Sequence, residues 1–238
     1  MPRTQTSRNP TIALRGATVT FATPPSPASR TAIHIPPDSP FDSDLHWHET
    51  YTEYFRITKG VMSVVLEDVT GALQTYYIGK ESGIVEIPKG RRHRLRPGDS
   101  TGPWEEWKDK LEWREGGMIS KEEWVSEIRG EEWTSPQDGR KEMFFRNLAG
   151  IAGDRSGGAL DGVWFVLGVL CIFREFDNWP AFLGGRMRSL ELVVSHAVLC
   201  VASWVGWGLG LRGSYEEYAP VELRGVKGAG KVERRKDL

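Results

Sequence analysis

Between Thr31 and Pro97 the chain repeats one pattern: a short run of alternating apolar and polar residues, then a turn. "TAIHI", "TYTEYFRI", "VMSVVLE", "ALQTYYI" and "IVEIP" are rich in β-branched and aromatic residues, and "PPDSP", "TKG", "VTG" and "KESG" separate them. A period of two sends alternate side chains to opposite faces of a strand, so each run can bury one face. Many short strands at this spacing predict an antiparallel sandwich or barrel around one core. Thr11 to Phe21 alternates in the same way and reads as a first strand, with "ATPPSPASR" after it as a loop.

Other parts of the chain follow different rules. "PWEEWKDKLEW" and "SKEEWVSEIRGEEW", within residues 98–140, set Trp among Glu and Lys. This reads as an amphipathic cover with its charges in water, and Ser120 with Glu123 fits a capping box at a helix start. Val125 to Thr134 alternatively returns to strand. Residues 158–211 are the most apolar. "GVWFVLGVLCIF" is shorter than the ~20 residues a spanning helix needs. Leu192 to Leu211 is long enough and has no Asp, Glu, Lys or Arg, but it contains Ser195, His196 and a Gly-rich end. It is expected to pack on the β domain or on a second copy. The alternative is membrane contact, with Trp204 and Trp207 as interfacial anchors.

Composition narrows the function classes. A net charge of -1 and a pI near 6.5 argue against a nucleic-acid partner. Ten Trp and 39% hydrophobic residues describe a globular chain. Cys171 and Cys200 both lie in apolar runs and are expected to be two buried free thiols, with one disulfide between them as the alternative; free thiols suit a reducing, cytoplasmic setting. "MPRTQTSRNP" has no apolar run behind its charges and does not read as a secretory signal.

Three of the five histidines fall in two short stretches. In "DLHWHETYTEYFRITKG", residues 44–60, His46 and His48 share a strand face, Trp47 takes the other, and Glu53 follows on the next extended segment. Gly60 is expected to turn the chain so that "VMSVVLE" pairs back antiparallel. In "GIVEIPKGRRHRLRP", residues 83–97, His93 and Leu95 face inward while Arg92, Arg94 and Arg96 face water. Three imidazoles and one carboxylate suit Fe, Mn, Ni, Cu or Zn. Glu49 beside His48 reads as a rim carboxylate, or as a group orienting an imidazole. His34 reads as a core histidine that could line a pocket, and His196 as structural.

These two stretches resemble the two motifs of the cupin superfamily. The first has His46, His48, Glu53 and Gly60 at the family's spacing. The second has Gly83, Pro88, Gly90 and His93. One residue fewer separates Gly83 from Pro88 than in the family, Pro97 stands where Asn is frequent, and Pro40 where a Gly is usual. The resemblance implies a mainly β fold, a cupin jelly-roll barrel with a C-terminal helical extension, holding a divalent ion on His46, His48, Glu53 and His93. The expected organisation is an N-terminal arm with the first strand (1–30), the cupin barrel (31–150), the helical extension (151–225) and a disordered tail (226–238).

The order of barrel, apolar helices and "GLRGSYEEYAP" also resembles single-domain cupins of fungal secondary-metabolite clusters, including cupin-domain oxidoreductases. That implies an oxidoreductase or dioxygenase tailoring a small aromatic polyketide or related metabolite, expected to be a homodimer. The alternatives are a non-redox isomerase, dehydratase or cyclase with Glu53 or Glu49 as general base, and a non-catalytic small-molecule-binding cupin.

Overall fold

The computed structural model describes residues 3–26, 30–36, 39–98, 128–135 (backbone), 139–155, 160–184 and 187–224. The first alternating run bends at its middle. Arg15 and Gly16 take φ of 48° and 80°, the two left-handed residues that a two-residue hairpin turn requires. The run expected as one strand is therefore two: β1 (Thr11–Leu14) pairs with β2 (Ala17–Thr20). Then follow β3 (Thr31–Ile35), β4 (His46–Trp47), β5 (Thr52–Lys59), β6 (Val61–Glu67), β7 (Leu73–Gly79), β8 (Ile84–Ile87), β9 (His93–Pro97) and β10 (Ile128–Ser135). Of the two readings of Val125 to Thr134, the strand is the one that the described part, from Ile128, forms. Ser120 and Glu123, with the rest of 99–127, lie outside the described residues.

The strands form two antiparallel sheets, ordered β1-β2-β3-β10-β5-β8 and β11-β4-β9-β6-β7, where β11 is Trp179–Pro180. Phe55, Ile57, Ile33 and Ile87 of the first sheet share one buried cluster with Met62, Val64, Ile78 and Leu95 of the second. The sheets thus face each other across a common core. The expected closed barrel is not what the ladders make: among the described residues no hydrogen-bonded pairing joins one sheet to the other. Gly60 (φ 79°) does not close a β5–β6 hairpin either. It carries the chain from one sheet to the other, so β5 and β6 face across the core instead of pairing.

The C-terminal part is helical: α1 (Arg140–Gly153), α2 (Asp161–Glu175) and α3 (Arg188–Gly208). The last two were expected; α1 was not. Its inward side carries Lys141, Glu142, Arg146 and Asn147 beside Met143 and Phe145, so no apolar stripe marks it in the sequence. Glu142 and Arg146, four residues apart, pair at 2.8 Å and make that burial tolerable. Phe145 enters the sheet core, while Met143 joins Ile172, Phe176 and Leu223 in a second core. The helix is therefore a wedge between sheets and helices.

α3 docks by one face along its length, with Glu191, Ser195, Leu199, Ala202 and Gly206 buried. Arg188 pairs with Glu67 and donates to the Gly90 carbonyl (2.6 Å), and Ser195 donates to the Pro180 carbonyl (2.6 Å). Its opposite face leaves Trp204 and Trp207 76% and 82% exposed. By length and composition alone α3 could cross a membrane, and 28% of its apolar window is buried against the protein.

Candidate metal centre

Three strands and one crossing bring the predicted ligands together. β4 pairs with β9 at His46 opposite His93, which puts two imidazoles on one face, their ring centres 4.2 Å apart. His48 follows two residues after His46, with its ring 5.1 Å away, while the intervening Trp47 is buried. Glu53 stands on β5 in the other sheet, opposite Ile87, so the carboxylate approaches across the core. One donor atom from each of His46, His48, Glu53 and His93 lies within 4.8 Å of every other, and all four side chains are buried.

The protein fixes the orientation of all three rings. Each Nδ1 meets a backbone carbonyl: His46 that of Asp44 (2.9 Å), His48 that of Asp177 (2.7 Å) and His93 that of Arg91 (3.0 Å). A carbonyl only accepts, so Nδ1 carries the proton and Nε2 keeps its lone pair. Burial pushes the His46 imidazolium well below its ordinary pKa, with the neighbouring His93 and His48 adding to it. Burial also lowers His48, against the pull of Glu53. Both rings are therefore neutral, the form that binds metal.

Glu53 presents Oε2 to His48 Nε2 (3.2 Å) and His93 Nε2 (2.8 Å). The His93 contact is close but not aligned as a hydrogen bond, and its Nε2 is a buried nitrogen with no hydrogen-bond partner among the described residues. Such a group is costly to leave unsatisfied. A divalent ion among these donors would satisfy it, so the residues present fit a metal.

Two residues of this centre were missed in the sequence. Asp177 follows α2 with φ 58°. Its carbonyl orients His48, while its carboxylate accepts from Glu49 N (3.0 Å), Thr50 N (2.7 Å), Thr50 Oγ1 (2.7 Å) and Trp179 Nε1 (2.6 Å). "FDNWP" after an apolar helix was the available signal, because Asp and Asn tolerate the left-handed position that ends helices. Lys141 of α1 pairs with Glu53 through Oε1, and nothing local to its sequence announces that.

The other candidates lie elsewhere. Glu49 accepts from His196 Nε2 (2.8 Å) and lies 3.4 Å from the Trp47 indole, so it holds the rim instead of orienting a ligand. His196 rests on the Trp179 ring, 4.0 Å between centres, and is not part of the cluster. His34 sits on β3 opposite Thr18 and Arg129 and is not part of the cluster. Tyr51 stacks on His48 at 4.3 Å. In the second motif Gly90 has φ 79° and donates its N–H to the His48 carbonyl (2.5 Å), while Arg91 N meets the Pro88 carbonyl (3.1 Å). This turn starts β9 in register for His93 despite the shortened loop before it, but Arg92, expected to face water, is buried because its guanidinium pairs with Glu67 (2.9 Å).

No family model and no curated protein matches the chain. Among solved structures it is similar to the capsular polysaccharide assembling protein CapF from Staphylococcus aureus, at 19% identity and TM-score 0.33 over 52% of this chain and 29% of that one. It is also similar to Bacillus subtilis oxalate decarboxylase, studied for its Mn(II) centres, at 12% identity and TM-score 0.34 over 51% and 26%. A third is procruciferin, an 11S globulin of Brassica napus, at 12% identity and TM-score 0.31 over 46% and 21%. The chain spans less than a third of each. Likeness this distant decides neither family nor activity, and the centre rests on its own geometry.

Proposed function

We propose that the protein is a metal-dependent cupin enzyme, an oxidoreductase or dioxygenase that tailors a small aromatic polyketide or a related secondary metabolite. The observation that carries the metal reading is the convergence of three carbonyl-oriented imidazoles and the Glu53 carboxylate. The substrate class rests on the sequence resemblance. A bound divalent ion supplies Lewis acidity and, if redox-active, electron transfer. The chain holds three Nε2 lone pairs inward, shields them from water by burial, and packs Tyr51 against His48. A metal-free acid–base reading has less support: Glu53 is engaged by Lys141 and Glu49 by His196, so each carboxylate already has a cationic or hydrogen-bonding partner. A cytoplasmic homodimer belongs to the same proposal. Cys171 and Cys200 are free thiols, as a reducing compartment would leave them; Cys171 is buried as expected, whereas Cys200 is exposed because it lies on the outer face of α3.

Metal analysis of the full chain, purified without added metal, tests this. About one equivalent is expected, and His93→Ala should remove most of it while leaving the far-ultraviolet dichroism unchanged. A wild-type chain that takes up none of Fe, Mn, Ni, Cu or Zn would overturn the metal reading. Dioxygen uptake with aromatic polyketide acceptors tests the reaction.

A further inference from the structure

Where β6 ends, the surface folds into an open cleft of about 460 Å³. Its walls come from three parts of the chain that are distant in sequence. Glu67, Val69 and Thr70 stand at and just after the end of β6, Lys89 and Arg91 lie on the turn before β9, and Arg188 is the first residue of α3. Hydrogen bonds fasten the three parts together. Arg188 pairs with Glu67 and donates Nη2 to the Gly90 carbonyl (2.6 Å), and Arg91 Nη1 donates to the Asp68 carbonyl (2.5 Å). The fold therefore sets the shape of the cleft.

Three of the four charged side chains that line it are cations. The one anion, Glu67, is buried, and its carboxylate accepts from Arg92 Nη2 (2.9 Å), from Arg92 N (3.1 Å) and from Arg188. Asp68, beside it, spends its carboxylate inside its own turn, on Thr70 N (2.8 Å), Thr70 Oγ1 (2.6 Å) and Ala72 N (3.0 Å). The cations are less fully used. Lys89 is exposed and makes no hydrogen bond or ion pair among the described residues. Arg91 has only a neutral carbonyl as partner, and Arg188 is 41% exposed. Cations gathered along one concave wall raise the local concentration of anions. Guanidinium and ammonium donors suit the oxygens of phosphate in particular. Val69, 86% exposed, adds an apolar wall to the same cleft.

We infer that this cleft binds a phosphate dianion, free or carried on a small organic molecule, through Lys89, Arg91 and Arg188. The turn that carries Lys89 and Arg91 also serves the metal centre: Gly90 N donates to the His48 carbonyl (2.5 Å), and the Arg91 carbonyl accepts from His93 Nδ1 (3.0 Å). The ligand is thus held on the turn that orients two of the imidazoles. The inference goes beyond the metal reading and does not rest on it.

Calorimetric titration of the full chain at about 0.15 M salt, where long-range attraction is screened, tests it with inorganic phosphate and phenyl phosphate. Wild type should bind both. Tighter binding of phenyl phosphate assigns an organic phosphate, and equal affinities assign the free ion. Lys89→Met and Arg91→Met should each weaken both probes about three- to tenfold. Lys89→Arg should bind like wild type. Lys89 is exposed, so its variants keep the test valid should Arg91→Met fail to fold. Arg212→Met, which removes an exposed arginine outside the cleft, should change nothing. His46→Gln removes a metal-centre imidazole that does not touch this turn, and it should bind phosphate like wild type, so failure of the metal reading leaves the result unmoved. A wild type that binds neither probe would overturn the inference. Equal weakening in Arg212→Met and Lys89→Met, or none in Lys89→Met, would mean an adventitious ion only. Loss in His46→Gln would put the phosphate on the metal centre and overturn the inference too.

Discussion

Asp177 does two jobs from one residue. Its carbonyl orients His48 and its carboxylate caps the Glu49–Thr50 turn, and it holds φ 58° to do both. Left-handed backbone costs a non-glycine residue roughly 1–2 kcal/mol. Asp177→Gly should therefore keep the carbonyl in place and lose only the carboxylate. Asp177→Ala should lose the carboxylate and carry the strain, melting lower than the Gly variant. Metal affinity should fall up to about tenfold in the Ala variant, because the strained backbone and the freed Glu49–Thr50 turn let the carbonyl that orients His48 shift. Chelator competition measures it, and an Ala variant that binds like wild type would show that the Asp177 carboxylate is not needed to hold that carbonyl.

Histidine ionisation gives a second test at this scale. His46 and His48 have lowered pKa values in the fold and ordinary ones, near ~6.5, when unfolded. Their contribution is whole above that value. It is lost as pH falls below it, because the unfolded chain then takes up protons that the fold refuses. Each should add about 1.4 kcal/mol per pH unit to the slope below that point. Asp42, Glu67 and Asp154 have lowered pKa values, so their losses come at more acid pH. Urea unfolding of chelator-treated protein between pH 7.5 and 5.5 should show the slope, and His46→Gln should flatten it. Equal slopes for the two proteins would show that His46 is protonated in the fold.

At the scale of elements, the helices meet where glycine permits it. A Cβ on Gly150 of α1 would come within 2.5 Å of the Tyr218 ring. That ring is fully buried, and its hydroxyl is held by Asp154 (2.5 Å) and Arg3 (3.0 Å), so it cannot swing aside. Gly150→Ala should cost about 1–3 kcal/mol by overpacking. Gly208, the last residue of α3, meets nothing within 4 Å. There the same substitution should be neutral or stabilise by up to ~1 kcal/mol, since Ala is the better helix former. Thermal melts of the two variants should move apart; a shared direction would mean that α1 does not press on Tyr218.

Across the whole molecule, α3 decides how the chain meets its surroundings. A spanning helix needs about 20 residues in hydrocarbon. Arg188, Ser195 and His196 are already bound to Glu67, Pro180 and Glu49, and Leu199, Ala202 and Gly206 are buried on the same helix, which commits one face of α3 to the protein. The chain should be extracted by carbonate without detergent; recovery only in a detergent extract would contradict this docking. What the sequence determined by itself was local. Alternation gave the strands from Thr31 to Pro97, and the spacing of His46, His48 and His93 placed three imidazoles on inward faces, because a period of two needs no distant partner. Sheet membership was not local. Gly60 announces a turn, yet whether β6 pairs with β5 or faces it depends on β10 taking the place beside β5. The polar inward side of α1 hid that helix, since its burial is tolerable only once Glu142 meets Arg146 and Lys141 meets Glu53. The last features of the centre, Lys141 on Glu53 and Asp177 behind His48, join residues 88 and 129 positions apart. Contacts across such separations leave no periodic trace in a sequence, because only the folded chain brings their partners together.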